Sequence, residues 1–577
     1  MSQEKPKVFT TDPNVIESWP LYHQDKRRNQ LMSEIVHTSE EKINQNSTAT
    51  IEDLLEKTIY LERQRVKNEP WKVDPPNEAL FWNKAKNRLE KYRSEEDPEA
   101  RRERYQQLAK KIIQRYTSEI LGSFNKNTFL LARKILTVSF KNLYGHFELR
   151  DLWNYSRAQT KIKEQLIVDG PIEHIRHLFS YGTVIVLPTH SSNMDSILVG
   201  YMLDMIGKMP AFSYGAGLNL YNNGSAAYFM NRLGAYRVDR RKKNPIYLDT
   251  LKNMSSTTIE DGVNTIFFPG GTRSREGSVE TKLKLGLVGS VIDAQRACIQ
   301  KGLPNKIFIV PLVINYETVL EAGILIEQFL RRSGKDQYIP QIGRGMNFLR
   351  AIKFGWKLIR KKNRVYFSFG KPIDVFTNEV DEFGNSYDKY GNQIDIKKYY
   401  EINGTINQDS QRESEYTKRI SAKMSTEFLA NNVPMPHHIL SKMIIHLMLE
   451  KWHGADIFDI LKLPAKEWKI PMPTVMKCGE DWFKVYKKFI SHKIFKQDRT
   501  KKITDFAMLL EDAIENGGAY HRIKLFAYNN KSNELIINDL PVIYFYSNRM
   551  EGYDMQKEII WKKYVWDEEP VAAKVGE

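Results

Sequence analysis

The sequence has few of the features that mark secreted, disulfide-bonded or membrane-spanning proteins. Only two of its 577 residues are cysteines, Cys298 and Cys478, so neither a disulfide framework nor a cysteine metal site is indicated. No window approaches the roughly 18 continuous apolar residues that a spanning helix needs. The first residues, MSQEKPKVFTTDPN, lack the apolar core of a secretory signal. These absences predict a cytoplasmic protein in a reducing compartment, with no bound metal.

Acidic residues are outnumbered by basic ones. The chain has 87 Lys and Arg against 70 Asp and Glu, a formal net charge of +17. Such an excess indicates anionic partners such as phosphates, a membrane surface or nucleic acid. No nucleic-acid recognition motif accompanies the charge, so we predict no nucleic-acid partner. The length predicts a large core and more than one domain.

The sequence pattern divides the chain into three regions. Residues 1–165 are rich in charged helix-forming residues and predict a helical N-terminal region. Residues 166–375 alternate strand-like and helical runs, which is typical of an α/β domain with a mixed, largely parallel sheet flanked by helices. Residues 376–577 predict an α+β C-terminal extension, first helical and then mixed. The candidate strands are 184–188, 210–215, 235–239, 265–269, 307–316 and 365–370.

His190 and Asp195 stand where the strand 184–188 gives way to a helix expected over 191–207. Ligands bind at the carboxyl ends of strands in open α/β sheets. A carboxylate in the first helical turn could reach back to one ring nitrogen of His190 and leave the other as a base. The alternative is a capping box, in which Asp195 only satisfies backbone amides. The stretch by itself leaves both interpretations open.

Two further polar blocks follow candidate strands. Arg240 lies in GAYRVDRR, and a guanidinium suits a phosphate because its planar fork donates two parallel hydrogen bonds. The block FPGGTRSR places paired glycines after a strand, where backbone amides could cradle an anion. Its candidate substrate-binding residues, with one lysine farther on, are Gly270, Gly271, Thr272, Arg273 and Lys284. A solvated basic loop and a simple glycine turn are the alternatives, and the Walker spacing is absent.

Four blocks in this order, HSSNMD, GAYRVDRR, FPGGTRSR and VPLVINYE, resemble the motifs of the glycerolipid acyltransferase family. The resemblance covers about 165–375 and extends loosely to about 440. Long flanking segments, and SREGSVETKLKLGLVGS after the third block, are more similar to the glycerol-3-phosphate branch than to the lysophosphatidate branch. The resemblance implies transfer of a fatty acyl group from acyl-CoA or acyl-carrier protein to glycerol 3-phosphate, the first step of phospholipid biosynthesis, without a cofactor.

The resemblance also implies roles for individual residues. His190 would be the general base and Asp195 its orienting partner, while Arg240, Arg273 and Lys284 would hold the phosphate. In one respect the chain departs from the family, whose third block usually has glutamate where Gly270 stands. Glu276 and Glu317 are possible replacements. An alternative acceptor is lysophosphatidate, dihydroxyacetone phosphate or another lysolipid. The alternative to an enzyme is a non-catalytic lipid-binding protein on the same scaffold.

A fatty acyl product implies a membrane, and residues 331–364 offer a basic surface for anionic lipid. The window has a net charge of +10 and places apolar residues on one helical face, as in an interfacial helix. A helix packed on the sheet with a wet basic side is the alternative. A second apolar stripe in the N-terminal region favours core packing over membrane contact; it comprises Phe129, Ala132, Leu136, Phe140 and Leu143. We therefore expect peripheral association with the inner face of the membrane.

Overall fold

The structure, a computed structural model, describes residues 12, 14–144, 162–221, 224–333, 364–500, 502–518, 521 and 523–566. Within these ranges no helix is both long enough and apolar enough to cross a bilayer. The basic window predicted to dock on lipid lies almost wholly in 334–363, outside the described residues. Of its flanking residues, Arg364 pairs with Glu317.

The N-terminal region is helical, as its composition predicts. Ser47 accepts a hydrogen bond from the Thr50 amide, and Asp97 accepts one from the Glu99 amide, so each caps the helix that follows it. Apolar residues of the four helices between Arg28 and Ile120 share one core with Ile185, Leu187 and Ile309, so these four helices cover one face of the sheet. The helix that follows them places Phe140 in the core on the other face. The helices are α1 (Pro20–Lys26), α2 (Arg28–Asn44), α3 (Thr48–Asn68), α4 (Glu78–Arg93), α5 (Pro98–Ile120) and α6 (Lys126–Tyr144).

A mixed sheet occupies the centre. Its strands are β1 (Leu166–Asp169), β2 (Gly182–Pro188), β3 (Ser213–Gly217), β4 (Ala235–Val238), β5 (Thr265–Ile266), β6 (Lys306–Tyr316), β7 (Val365–Phe369), β8 (Ile373–Asp374), β9 (Glu379–Val380), β10 (Ser386–Tyr387) and β11 (Gln393–Ile394). The order β6-β2-β5-β3-β4 is parallel throughout, while β7 and β8 pair antiparallel to β6. The predicted fold class is confirmed.

Strand β2 is buried on both faces. Val184 and Val186 pack into one hydrophobic core, and Ile185 and Leu187 pack into the other. This alternation explains the uninterrupted apolar run, because successive side chains of a strand point to opposite faces. The helices of this region are α7 (Ile172–Leu178), α8 (Asp195–Met205), α9 (Gly224–Met230), α10 (Pro245–Glu260), α11 (Gly289–Gln300) and α12 (Ala322–Arg332).

The C-terminal extension packs on the same sheet. Its helices are α13 (Ser410–Ala430), α14 (Pro436–Lys451), α15 (Ile457–Lys462), α16 (Met472–Ser491), α17 (Phe506–Asn516) and α18 (Leu540–Ser547). Its strands are β12 (Glu401–Ile402), β13 (Thr405–Ile406), β14 (Lys469–Pro471), β15 (Phe526–Asn529) and β16 (Glu534–Ile537). Residues of α14 and α18 share one core with Val184 and Val186. The two flanking regions thus enclose the sheet between them, while the domain boundaries after 165 and 375 stay predictions.

Several predicted elements have different bounds in the structure. The strand expected over 210–215 is Ser213–Gly217, and only Thr265–Ile266 of 265–269 is a strand. The helix expected over 191–207 begins at Asp195, because the preceding residues form the turn that holds His190. In the stripe on α6, Ala132 and Phe140 are buried, which supports core packing. The side chain of Leu143 lies outside the described residues.

Candidate active site

His190 and Asp195 form a hydrogen-bonded dyad. The ring Nδ1 of His190 lies 2.7 Å from Oδ2 of Asp195, and Asp195 is fully buried. A buried carboxylate accepts the Nδ1 proton and leaves Nε2 as the free basic nitrogen. The imidazole is 18% exposed, so a substrate can reach it.

Asp195 also binds backbone amides of the turn that precedes α8. Its Oδ2 accepts hydrogen bonds from the Ser191 and Ser192 amides at 2.6 and 2.8 Å. Its Oδ1 accepts a hydrogen bond from the Tyr316 hydroxyl at 2.5 Å. The same carboxylate therefore shapes the turn between β2 and α8 and orients the imidazole. The two interpretations of this stretch are compatible, because one oxygen serves both the amides and the ring.

The third block closes over the turn that carries His190. The Ser274 amide donates to the His190 carbonyl at 2.8 Å, and the Phe268 ring lies 4.6 Å from the imidazole, centroid to centroid. Gly271 has φ +69°, a left-handed conformation that favours glycine. The Lys284 side chain covers the face of Gly271 where a Cβ would project. The glycine turn is thus real, and it brings Lys284 beside the block.

Gly270 is adjacent to a carboxyl group that the sequence reasoning missed. The three atoms nearest to a Cβ built at Gly270 all belong to the carboxyl of Glu280, and Oε1 of Glu280 accepts the His190 amide at 3.2 Å. Neither proposed replacement takes this place. Glu276 accepts from the Ser278 hydroxyl, and Glu317 pairs with Arg364. No sequence pattern points to Glu280, ten residues after Gly270, because the contact depends on how the loop folds back.

Guanidinium groups gather at the same edge of the sheet. Arg240 follows β4 and Arg273 follows β5, and the carboxyl ends of parallel strands meet at one edge. Burial and the charge of Arg273 lower the pKa of Arg240, and burial with Arg332, Arg273 and Arg240 lowers that of Arg275. Among the described residues, none of Arg240, Arg273 and Arg275 has an acidic partner within ion-pairing distance. Arg275 joins a cluster for which only Arg240 and Arg273 were predicted.

The basic residues after Arg240 have a structural role. Arg241 pairs with Asp239 and Asp74, and Lys242 pairs with Glu119. These ion pairs tie the end of β4 to the N-terminal helices. Part of the second block therefore holds the two regions together, and Arg240 is the member left for an anion.

A buried arginine from the C-terminal extension lies beneath the dyad. Arg549 donates to Oδ1 of Asn315 at 2.9 Å, to the Ile314 carbonyl at 2.8 Å and to Oδ1 of Asn432 at 3.0 Å. One nitrogen also lies 3.4 Å from the Ser191 hydroxyl. Burial lowers the pKa of Arg549 to about 10, against the opposing charges of Glu280 and Asp195. No sequence pattern signals a contact across 358 residues.

A metal centre is not evident in the described ranges, where no group of three or more His, Cys, Asp or Glu residues is arranged to hold an ion. Comparison with known proteins shows what part of the chain resembles. Residues 169–315, which contain strands β2 to β5 and the turn carrying the His190–Asp195 dyad, match the family model described as Acyltransferase.

A curated relative narrows the comparison. It is a glycerol-3-phosphate acyltransferase of Haemophilus ducreyi, 29% identical over 279 residues. The alignment covers 48% of this chain and 29% of the relative, so the chain matches less than a third of that protein's length. These matches confirm the predicted resemblance to the glycerolipid acyltransferases.

Proposed function

We propose that the protein transfers a fatty acyl group from the thioester of acyl-CoA or acyl-carrier protein to a hydroxyl of glycerol 3-phosphate, giving lysophosphatidate. The observation that carries the proposal is the His190–Asp195 dyad at a sheet edge shared with arginines that have no acidic partner in the described part of the chain. A base beside an unneutralised cationic cluster suits an alcohol that carries a phosphate.

In this mechanism Nε2 of His190 removes the proton from the acceptor hydroxyl. The oxygen attacks the thioester carbonyl, a C–O bond forms, and collapse of the tetrahedral intermediate breaks the C–S bond. The imidazolium returns its proton to the departing thiolate. Asp195 stabilises the imidazolium through the 2.7 Å contact, and no residue becomes acylated.

The phosphate would bind Arg240 and Arg273, with Lys284 and Arg275 adding charge. Burial and the charge of Arg273 lower the pKa of Arg240, and a bound phosphate would relieve the repulsion between the two guanidinium groups. Fixing the phosphate also fixes which hydroxyl faces His190, and such orientation supplies a large share of catalysis. Backbone amides near Gly270 and Gly271 are the candidates for oxyanion donors.

An apolar cavity next to the dyad suits the acyl chain. It lies between α6 and α8, and Ser196, the residue after Asp195, is part of its lining. The apolar lining includes Leu136, Ile197, Tyr201, Phe212 and Ile266. A Cβ built at Gly200, inside this lining, meets no atom within 4 Å. Together with the net charge of +17, the cavity supports action on lipid at the inner face of the membrane.

The test is transfer of labelled acyl groups from acyl-CoA and from acyl-carrier protein to glycerol 3-phosphate. Labelled lysophosphatidate from the unmutated protein, lost in His190→Ala and retained in His37→Ala, supports the proposal. His37 is a suitable control because its side chain is 71% exposed on α2. Arg273→Ala should raise the KM for glycerol 3-phosphate about tenfold or more, since a charge-assisted contact is worth about 1.5 kcal/mol or more.

Other outcomes separate the alternatives. Product with lysophosphatidate or dihydroxyacetone phosphate, but none with glycerol 3-phosphate, would keep the acyl-transfer reaction and change the identity of the acceptor. No product with any acceptor would favour a lipid-binding protein on this scaffold. Equal turnover by the unmutated protein and His190→Ala would refute the assignment of the base.

A further inference from the structure

We propose that Glu280 is a positioning residue of the reaction and supplies the carboxyl group that Gly270 leaves out of the third block. The inference rests on the proposed acyl transfer. It assigns a function to a residue outside the four blocks, and it gives a physical reason for the glycine at position 270.

The geometry makes the two positions mutually exclusive. A Cβ built at Gly270 would lie 2.4 Å from Oε1, 2.5 Å from Cδ and 2.9 Å from Oε2 of Glu280. Non-bonded carbon and oxygen atoms do not approach so closely, so a side chain at 270 would displace the carboxyl of Glu280 from its present position. The carboxyl of Glu280 thus occupies the space into which a side chain at 270 would grow.

Glu280 acts on the backbone of His190. Its Oε1 accepts the His190 amide at 3.2 Å, and the Ser274 amide donates to the His190 carbonyl at 2.8 Å. Residues of the third-block loop therefore bind both the backbone N–H and the backbone carbonyl of His190. Asp195 fixes the ring, and Glu280 with Ser274 fixes the backbone that carries it.

The surroundings of the Glu280 carboxyl disfavour its negatively charged form. Burial and the neighbouring charge of Asp195 raise the pKa of Glu280 to about 8, while the His190 amide and Arg549 act in the opposite direction. Its Oε2 is buried and, among the described residues, has no hydrogen-bond partner. A buried unpaired acceptor costs about 1–3 kcal/mol. Its persistence beside the catalytic turn is expected of a functional group and not of a packing residue.

A reciprocal exchange tests the proposal. Glu280→Ala should lower kcat about 100-fold, because a displacement of a base by about 1 Å has that effect. The KM for glycerol 3-phosphate should change little, since the arginines are intact. Gly270→Glu should also be impaired, because its side chain overlaps Glu280. The double variant Gly270→Glu/Glu280→Ala should regain activity to within about tenfold of the unmutated protein, a non-additivity expected only of positions that share one space.

Glu276→Ala is the matched control, since Glu276 lies in the same loop and its carboxylate contacts Ser278. Full turnover by Glu280→Ala would overturn the proposal, and so would a double variant no better than Glu280→Ala alone. Thermal unfolding of all variants separates misfolding from loss of the base position, because misfolding lowers the melting temperature in parallel with kcat.

A second measurement does not need acyl transfer. The rate at which diethyl pyrocarbonate modifies His190, followed by peptide mass spectrometry, reports the position and exposure of the imidazole. Glu280→Ala should change that rate, and the double variant should restore it. An unchanged rate in Glu280→Ala would overturn the proposal even if no acceptor is found. An inactive unmutated protein with the expected change in modification would instead refute the acyl-transfer proposal alone.

Discussion

Replacing Asp195 by Asn separates the charge of the carboxylate from its role in holding the turn before α8. The amide oxygen of Asn accepts the same kind of hydrogen bond, so a purely structural residue would tolerate the change. In the structure three N–H groups converge on Oδ2 of Asp195 and one hydroxyl on Oδ1. The amide oxygen of Asn would take the Oδ2 position, and its NH2 could donate to the Tyr316 hydroxyl. The hydrogen bonds are thereby retained, and the substitution removes the charge alone.

The rate loss follows from that charge. Two unit charges about 4 Å apart attract by about 4 kcal/mol at an effective dielectric constant of about 20. Losing that attraction for the imidazolium formed during the reaction slows acyl transfer about a thousandfold. The assay is kcat at saturating donor and acceptor, with thermal unfolding in parallel and Asp97→Asn as a control at an exposed helix cap. A rate within tenfold of the unmutated protein, at an unchanged melting temperature, would refute the dyad as the source of the base.

Three further predictions follow from other parts of the structure. Gly200→Ile should fold, since a Cβ at Gly200 meets open space. The variant should prefer acyl donors with shorter chains, as measured by kcat/KM across a chain-length series. Unchanged selectivity would contradict an acyl site between α6 and α8. The raised pKa of Glu280, about 8, means that the folded chain holds a proton that the unfolded chain loses above about 4.5. Stability from this group is therefore lost as pH rises from about 4.5 to 8, by on the order of several kcal/mol, and the melting temperature of Glu280→Gln should fall less over that window; parallel pH profiles would contradict this. Arg549→Leu should lower the free energy of unfolding by about 3 kcal/mol, because it leaves buried partners such as Asn315 without their hydrogen bonds. The control Arg499→Leu, at an exposed position, should change it little in the same denaturant titration. Equal effects of the two substitutions would contradict a stabilising role for Arg549.

The local sequence determined much of the fold and half of the site. The apolar run 184–187 predicted a buried strand because a strand covered on both faces needs no polar alternation. The spacing of His190 and Asp195 predicted their contact because a turn of four residues brings the first helical residue back to the strand end. The α/β class followed from alternating strand and helix patterns, which is a property of neighbouring residues.

The sequence determined the ends of individual strands and helices less well. Of the run 265–269, only Thr265–Ile266 is a strand. The Phe267 amide still donates to the Val186 carbonyl, and the chain then turns at Phe268 to Gly271 to form the loop at the dyad. Likewise α8 starts at Asp195 and not at Ser191, since the Asp195 carboxylate holds the preceding amides in a turn. Functional turns depart from the regular periodicity by which strands and helices are predicted.

Tertiary structure alone decided which charged residues are available. The sequence of the second block does not distinguish Arg240 from Arg241, yet Arg241 is neutralised by Asp74 from the N-terminal region. The sequence offers Glu276 and Glu317 as replacements for the missing glutamate, but the fold places the carboxyl of Glu280 beside Gly270. The fold also brings Arg549 beneath the dyad from the far end of the chain. Local patterns record the conformational preferences of a segment, whereas these contacts depend on how distant segments pack. The sequence by itself therefore determined the contact between His190 and Asp195, and only the packing decided which carboxyl and which guanidinium groups surround it.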